Sequence, residues 1–179
     1  MSLRSAAVVV LIASLAAACD AAPPTSAAHT LEGAEFQRTG GCGDAFVYGT
    51  NADNTIAVTI NWAQAASRAQ EAGPFEEKVA LPDDRVVVSI QFGQHLSDGF
   101  CTDILMPDRP RILAEAQAST GEVQIEVLPA PGAEPFMPMA VASVTLGRAV
   151  FEVPVGDGFE TWRIESLELR DLQVGWMAG

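Results

Sequence analysis

Three cysteines, Cys19, Cys42 and Cys101, are the residues of this chain best suited to covalent chemistry. A thiol can act as a nucleophile, form a disulfide or bind a soft metal ion. Few catalytic constellations can be assembled around them, because the chain has two histidines and a single lysine, Lys78. A Cys-His pair would require Cys42 or Cys101 to be unpaired beside His95. Neither G-x-S-x-G nor H-E-x-x-H occurs. We therefore predict that the protein is not an enzyme, and we assign no catalytic residue.

Acidic side chains offer a second kind of chemistry. Asp and Glu number 23 against 10 Lys and Arg. The aspartates near the two later cysteines could bind calcium if the fold gathers them, although no D-x-D-x-D-G loop is present. These aspartates are Asp44, Asp98, Asp103 and Asp108. Paired carboxylates for glycoside hydrolysis need only proximity in the fold, so an envelope hydrolase remains an alternative.

Soft ligands for Cu(I) occur in Phe136-Met137-Pro138-Met139, with His95 as an imidazole that could join them. Methionines also fill gaps in loops and strands, which is the simpler interpretation of Met137 and Met139. Handling of calcium or copper is kept as an alternative function. We assign no metal ligand and no cofactor.

The first eighteen residues have the pattern of a secretory signal peptide. Arg4 is the only charge before Asp20, and an apolar run from Ala6 to Ala18 follows it. As a helix this run would rise about 20 Å, which is less than the roughly 30 Å hydrocarbon core of a bilayer. A short apolar run behind one positive charge is typical of a cleaved signal rather than a membrane span.

The segment Leu15-Ala16-Ala17-Ala18-Cys19 resembles the lipobox of bacterial lipoproteins. The resemblance implies cleavage before Cys19, whose thiol would carry a diacylglycerol and anchor the protein in the membrane. The family prefers leucine where this chain has Ala16, and an ordinary cleavage after Ala18 that leaves Cys19 free is the alternative. In some Gram-negative bacteria an aspartate at the position of Asp20 retains lipoproteins in the inner membrane. The mature domain, with its Gly-Cys-Gly-Asp sequence, resembles uncharacterised single-domain β lipoproteins, which implies no particular activity.

Cysteine counting then gives a disulfide prediction. An exported protein with three cysteines has one left over. If Cys19 carries lipid, Cys42 and Cys101 remain as an even pair, and an oxidising compartment would allow them to cross-link. The bridge would close a loop of about 60 residues and stabilise the fold by about 4 kcal/mol in the chain-entropy model. Reactive thiols or a metal pair are the alternatives.

Composition divides the chain into a signal peptide (1–18), a lipidated cysteine with a flexible tether (19–38) and a β domain (39–179). Small residues and Pro23-Pro24 mark the tether, which also contains His29, expected to be solvated. The formal net charge of −13 becomes −14 once Arg4 is removed. This acidity excludes nucleic acid as a partner and disfavours contact with anionic lipid, so we expect the domain to hang from its tether.

Alternating apolar and polar residues predict half-buried antiparallel strands after Cys42. Apolar residues alternate in three runs: Ile56, Val58, Ile60 and Trp62; Val86, Val88, Ile90 and Phe92; Val123, Ile125 and Val127. Turn-forming residues at 49–54, 82–84, 119–121 and 156–158 separate these and further strands. From Trp162 to Trp176 the alternation changes phase, which predicts bulges or a bend near Ser166 and near Arg170-Asp171.

One short helix is predicted near 62–72, with a possible N-cap at Asn61 and a Gly73-Pro74 stop. The fold class is therefore all-β, an antiparallel two-sheet sandwich, with a β-barrel as the alternative. Trp62 and Trp162 fit core faces, whereas Trp176 could either pack or form part of an exposed apolar patch. We predict an exported, lipid-anchored domain on the periplasmic or extracellular side. Its role would be non-catalytic binding or structural support, with an envelope protein or a small ligand as the possible partner.

Overall fold

The computed structural model describes residues 28–102, 109–130 and 139–175. Nine strands and one helix make up most of these residues, which confirms the all-β class with at most one short helix. The helix α1 spans Ala65–Ala72, inside the predicted 62–72, and is followed by Gly73. The strands are β1 Ala28–Leu31, β2 Phe36–Cys42, β3 Phe46–Asn51, β4 Ile56–Trp62, β5 Phe75–Leu81, β6 Val86–Gln94, β7 Arg111–Pro129, β8 Ala140–Val155 and β9 Gly158–Val174.

The strands form a single open sheet in the order β1-β9-β8-β7-β6-β4-β3-β2, with β5 paired to β7. All pairings are antiparallel except that of β1 with β9. The sheet is strongly curled into a half-barrel, so its two portions face each other across one core. The curl is possible because a twisted sheet of this many strands can bury one face against itself.

Strand β7 belongs to both portions. Residues 111–117 pair with β6, and residues 118–129 pair with β8. We call β2, β3, β4, β6 and the first half of β7 the strap portion, because a loop segment, residues 95–101, lies on its outer face. The long-strand portion comprises β1, β5, β8, β9 and the second half of β7.

The predicted turn at 119–121 is wrong. The chain continues through these residues as one strand, with register shifts between Ala118 and Thr120 and between Thr120 and Glu122. Gly121, with φ of +143°, supplies the backbone conformation that this change of direction requires. Turn-forming residues therefore mark a bend here rather than a reversal.

The long strands bend together along one line. In three neighbouring strands, the buried residues change from even-numbered to odd-numbered positions at the same level of the sheet. The change falls between Ala118 and Val123 in β7, between Leu146 and Ala149 in β8, and between Ile164 and Leu167 in β9. Because β8 and β9 change phase together near Ser166, their register is kept there. A register shift does occur beside Arg170-Asp171, where Asp171 has a φ of +55°, in agreement with the second predicted bulge.

The core fills the space between the two portions, with Trp62 only 2% exposed and Phe151, Ile90 and Ile60 fully buried. Two glycines allow β2 and β3 to approach β9 closely across this core. A Cβ on Gly41 would lie 3.0 Å from Val174 Cγ1. A Cβ on Gly49 would lie 3.1 Å from Leu169 Cδ2. Larger residues at either position would therefore push the portions apart.

The sheet begins at Ala28, within the segment assigned to the tether (19–38). Strand β1 has four residues, and β2 contains Gly40-Gly41, so neither shows the apolar alternation that identifies a strand in a sequence. Helix α1 is too short to span a bilayer, and the described ranges contain no helix that could.

Candidate functional site

Cys42 and Cys101 lie at disulfide distance, with their Cα atoms 5.6 Å apart. Cys42 ends β2, and Cys101 follows a 3-10 turn at Leu96–Gly99. This placement fits the pairing that the odd number of cysteines predicts. Cys19 lies outside the described residues.

The segment from His95 to Cys101, which we call the strap, lies on the outer face of β3. The Phe100 ring centroid is 4.8 Å from that of Tyr48 and 5.5 Å from that of Phe46. At the other end of the strap, the Ser97 amide donates to Asn54 Oδ1 over 2.8 Å. The strap is therefore held at one end by a buried asparagine and at the other by the cysteine pair.

The Gly-Cys-Gly-Asp sequence forms a corner that joins β2, the strap and α1. Asp44 Oδ1 accepts hydrogen bonds from the amide and the hydroxyl of Ser67, each over 2.9 Å. The Asp44 carbonyl oxygen also accepts from the Ala66 amide. Asp44 thus caps the helix from 23 residues away in the chain. The N-cap predicted at Asn61 is wrong, because local spacing cannot reveal a cap supplied by another element.

Uncharged polar residues are buried on the outer face of the strap portion. Thr50, Ala57, Gln91 and Glu115 lie side by side on four adjacent strands. Thr50 is 0% exposed and Gln91 is 8% exposed, and the Gln91 amide nitrogen donates to Glu115 Oε1 over 3.0 Å. Within the described part of the chain, Thr50 Oγ1 and Gln91 Oε1 have no hydrogen-bond partner. Burial without a partner carries a free-energy cost, so these two atoms are weak points of the fold.

Two of the four aspartates considered for calcium binding are among the described residues, and each has other contacts there. Asp44 caps α1, whereas Asp98 accepts from Asn54 Nδ2 and lies 3.4 Å from His95 Nδ1. Asp103 and Asp108 are outside the described residues. Across the three described ranges, no three His, Cys, Asp or Glu side chains are grouped as metal ligands.

The proposed copper ligands are likewise not brought together in what is described. Met139 precedes β8, and its amide donates to the Val174 carbonyl oxygen. Its own carbonyl oxygen accepts from Gln70 Nε2 on α1. His95 begins the strap, and Met137 is outside the described residues.

A cleft of about 450 Å³ lies beside α1. Two arginines meet one carboxylate there, with Arg68 Nη1 and Arg85 Nη1 each 2.6 Å from an oxygen of Glu77. A hydrogen bond from Arg68, which has the largest effect, and one from Arg85 hold the pKa of Glu77 below its usual value. The Arg68 guanidinium also lies 4.1 Å from the Phe75 ring centroid. Both cations are thus occupied by the protein's own groups.

Two carboxylates are directly opposite each other on β5 and β7, as a hydrolase would need. Glu76 pairs in register with Glu126, and Glu76 accepts a hydrogen bond from Gln124 Nε2. Both glutamates are exposed on the outer face of the sheet. They lack the apolar enclosure that divides acid from nucleophile in glycoside hydrolases.

A cluster of rings joins the two portions at one end of the half-barrel. Trp162 on β9 stacks on His29 of β1 at 4.3 Å between centroids, and its ring is 4.6 Å from Phe92 on β6. His29 Nε2 lies 3.4 Å from Glu160 Oε2. The expectation that His29 is solvated in a tether is therefore wrong. Trp162 packs against the core but stays partly exposed, and Trp176 is outside the described residues.

Comparisons of the chain with protein-family models, with curated proteins and with solved structures found no match.

Proposed function

We propose that this protein is an exported lipoprotein, held at the cell envelope by a diacylglycerol on Cys19. Its acidic β domain would act outside the cytoplasm as a non-catalytic binding or structural module. The observation that carries the proposal is the proximity of Cys42 and Cys101. Once these two are paired, Cys19 is the one thiol that remains for lipid.

The position of the sheet supports an anchor of this kind. Ala28, the first residue of β1, comes nine residues after Cys19. Nine residues reach roughly 30 Å when fully extended, so the domain would stay close to the membrane. Two acyl chains provide the firm attachment that a single chain does not.

A role in binding is favoured by the exposed apolar side chains of the domain. Large hydrophobic residues more than two-fifths exposed include Leu113 at 62% and Phe159 at 64%. Apolar surface of this kind marks contact sites when it is clustered.

Metabolic labelling tests the anchor. Cells that express the chain are grown with radioactive palmitate and compared with cells that express Cys19→Ser. We expect label on the unchanged protein, recovery in the detergent phase, and neither with Cys19→Ser. Cys42→Ser is the matched control, because it removes a cysteine outside the lipobox and should leave the label in place. An unlabelled protein that washes out in aqueous buffer would overturn the proposal.

The state of the other two cysteines provides an independent measurement. Mass spectrometry of the unreduced mature protein should show Cys42 and Cys101 joined in one cross-linked peptide. Two free thiols in the mature domain would remove the argument that singles out Cys19.

A further inference from the structure

One end of the half-barrel collects the end of β6, the start of β7 and the hairpin between β8 and β9, and we call it the open end. The Phe92–Trp162 contact shows that β6 and β9 are level with each other there. One step beyond that contact, Gly93 pairs with Ile112 at the start of β7. On the long-strand portion, Val155 and Gly158 close the hairpin between β8 and β9. The start of β7 and this hairpin therefore lie at the same end of the molecule.

Exposed apolar side chains concentrate at the open end. Six large hydrophobic residues in the described ranges are more than two-fifths exposed. Four of them are at the open end: Ile112 (50%), Leu113 (62%), Val155 (48%) and Phe159 (64%). The other two are away from the open end. Val87 is near the start of β6, where it pairs with Asn61 of β4, and Leu128 is near the end of β7, where it pairs with Val141 of β8. Clustering of this kind indicates a contact surface.

The chain enters the domain at the same end. Strand β1 is parallel to β9, and its first residue, Ala28, pairs with Thr161. Ala28 is therefore only three residues from the Gly158 end of β9 along the strand direction. A tether that arrives from Cys19 would reach the domain at the open end, so this end would be the part nearest the membrane.

The open end carries cationic residues beside the acidic Asp157 and Glu160. Arg111 precedes Ile112 and Leu113 directly, and Arg109 is two residues earlier. Neither arginine has an ion-pair partner within the described residues, whereas Glu160 faces His29. Long cationic side chains beside exposed leucine and phenylalanine are typical of residues that lie at a membrane interface.

We infer that the open end rests on the surface of the bilayer that holds the anchor, with Leu113 and Phe159 entering the boundary between head groups and acyl chains. The inference rests on the proposed lipid anchor and adds an orientation to it. It departs from the expectation that an acidic domain hangs free of the membrane. Net charge repels the domain as a whole, but contact is decided by the local surface that the tether brings to the bilayer.

A fluorescent label tests this orientation in the full-length lipoprotein. The anchored protein is reconstituted into vesicles of phosphatidylethanolamine with a minority of phosphatidylglycerol. A polarity-sensitive dye is attached at Asp157→Cys in the β8–β9 hairpin. The matched control carries the dye at Asp84→Cys, an acidic turn residue beside Val86 at the other end of the strap portion. We expect a blue shift and a rise in emission at Asp157→Cys and neither at Asp84→Cys.

Apolar substitutions test the cause of that signal. Leu113→Gln with Phe159→Gln should abolish the blue shift while the protein still floats with the vesicles through its anchor. Val87→Gln with Leu128→Gln changes two exposed apolar residues away from the open end and should leave the signal intact.

The possible outcomes separate the two proposals. Absence of palmitate label and of flotation overturns the lipid anchor, and the inference falls with it. Palmitate label with flotation but equal, water-like emission at both dye positions overturns the inference alone. Emission that is water-like on vesicles but shielded in isolated envelopes would mean that a protein covers the open end, which also overturns it.

Discussion

The two outer faces of the curled sheet contrast sharply in residue type. On β3, β4 and β6 of the strap portion several outward positions are uncharged, polar and buried, as at Thr50, Thr59, Ser89 and Gln91. Glu115 on β7, at the edge of this group, is charged and exposed. On the long-strand portion the outward positions are charged and largely exposed, as at Glu76, Lys78, Glu126, Glu168 and Arg170. The strap and the cysteine pair lie over the β2–β3 part of the first face, and no described segment is seen against the second.

The difference shows what a cover does to an outward-facing strand position. In both portions, outward residues alternate with apolar inward residues, so the rule for half-buried strands predicts a polar outer face for both. A charge beneath a cover would lose its water without a counter-ion, whereas threonine, serine and glutamine lose less. The type of polar residue therefore distinguishes a covered face from a bare one.

Removal of the Cys42 and Cys101 pair should have the largest effect on this contrast. We expect Cys42→Ser with Cys101→Ser to lower the free energy of unfolding by about 4 kcal/mol, because the open chain gains loop entropy. Denaturant unfolding measures this, and hydrogen exchange should show protection lost first in β2 and β3 and retained in β8 and β9. Reduced wild-type protein should behave in the same way. Uniform loss of protection in both portions would show that the strap does not cover one face selectively.

Removal of the cap on α1 should have the next largest effect. Asp44→Ala leaves the Ser67 amide and hydroxyl without their acceptor, and we expect a loss of about 1 kcal/mol. Asp53→Ala, in the exposed turn after β3, is the control and should change stability little. Thermal unfolding provides the comparison. Equal behaviour of the two variants would mean that Asp44 does not hold the corner beside the strap.

A stabilising substitution tests the covered face directly. Thr50→Val keeps the shape of the side chain and removes a buried hydroxyl that has no partner among the described residues, so we expect a gain of about 1 kcal/mol. Thr145→Val makes the same change on the bare face, where the hydroxyl is exposed, and should be nearly neutral. Denaturant midpoints of the two variants measure the contrast. A loss of stability in Thr50→Val would mean that its hydroxyl is satisfied.

The ion pairs of the bare face should contribute least. A hydrogen bond from Lys78, which has the largest effect, and one from Arg148 lower the pKa of Glu122. A lowered folded-state pKa adds stability above the unfolded-state pKa, and this stability is lost as the pH falls through the folded value. Glu122→Gln should therefore flatten the acid limb of the stability profile slightly and change little at neutral pH, because exposed pairs are weak. Glu126→Gln, which has no ion pair in the described ranges, should leave that limb unchanged. A large loss with Glu122→Gln at neutral pH would contradict the view of this face as solvated.

Much of the fold was readable from local patterns. Alternation located β4, β6 and the second half of β7, and Gly73 after an alanine-rich segment located the end of α1. The error at 119–121 has a physical cause. Gly121 can serve a reversal or a bend, and the choice depends on whether β8 is present to continue the pairing. Strands β1 and β2 were missed for a related reason, since pairing with β9 and β3 rather than alternation makes them strands.

Less of the candidate site could be predicted. The number of cysteines predicted that Cys42 and Cys101 are neighbours. No local pattern in the sequence indicates that Asp44 caps a helix or that His29 stacks on Trp162. Both contacts join segments far apart in the chain, and a single sequence does not report such proximity. The open end was likewise invisible, because Leu113 and Phe159 resemble ordinary strand residues until their neighbours are known.

By itself, the sequence determined the class of strands, the acidity, the lone lysine and the number of thiols, because composition and alternation depend on each residue and its near neighbours. The tertiary structure alone decided which polar face is covered, where the long strands bend and which apolar residues remain outside. These depend on how the sheet curls, and the curl results from packing of two portions that meet only after the whole chain has folded.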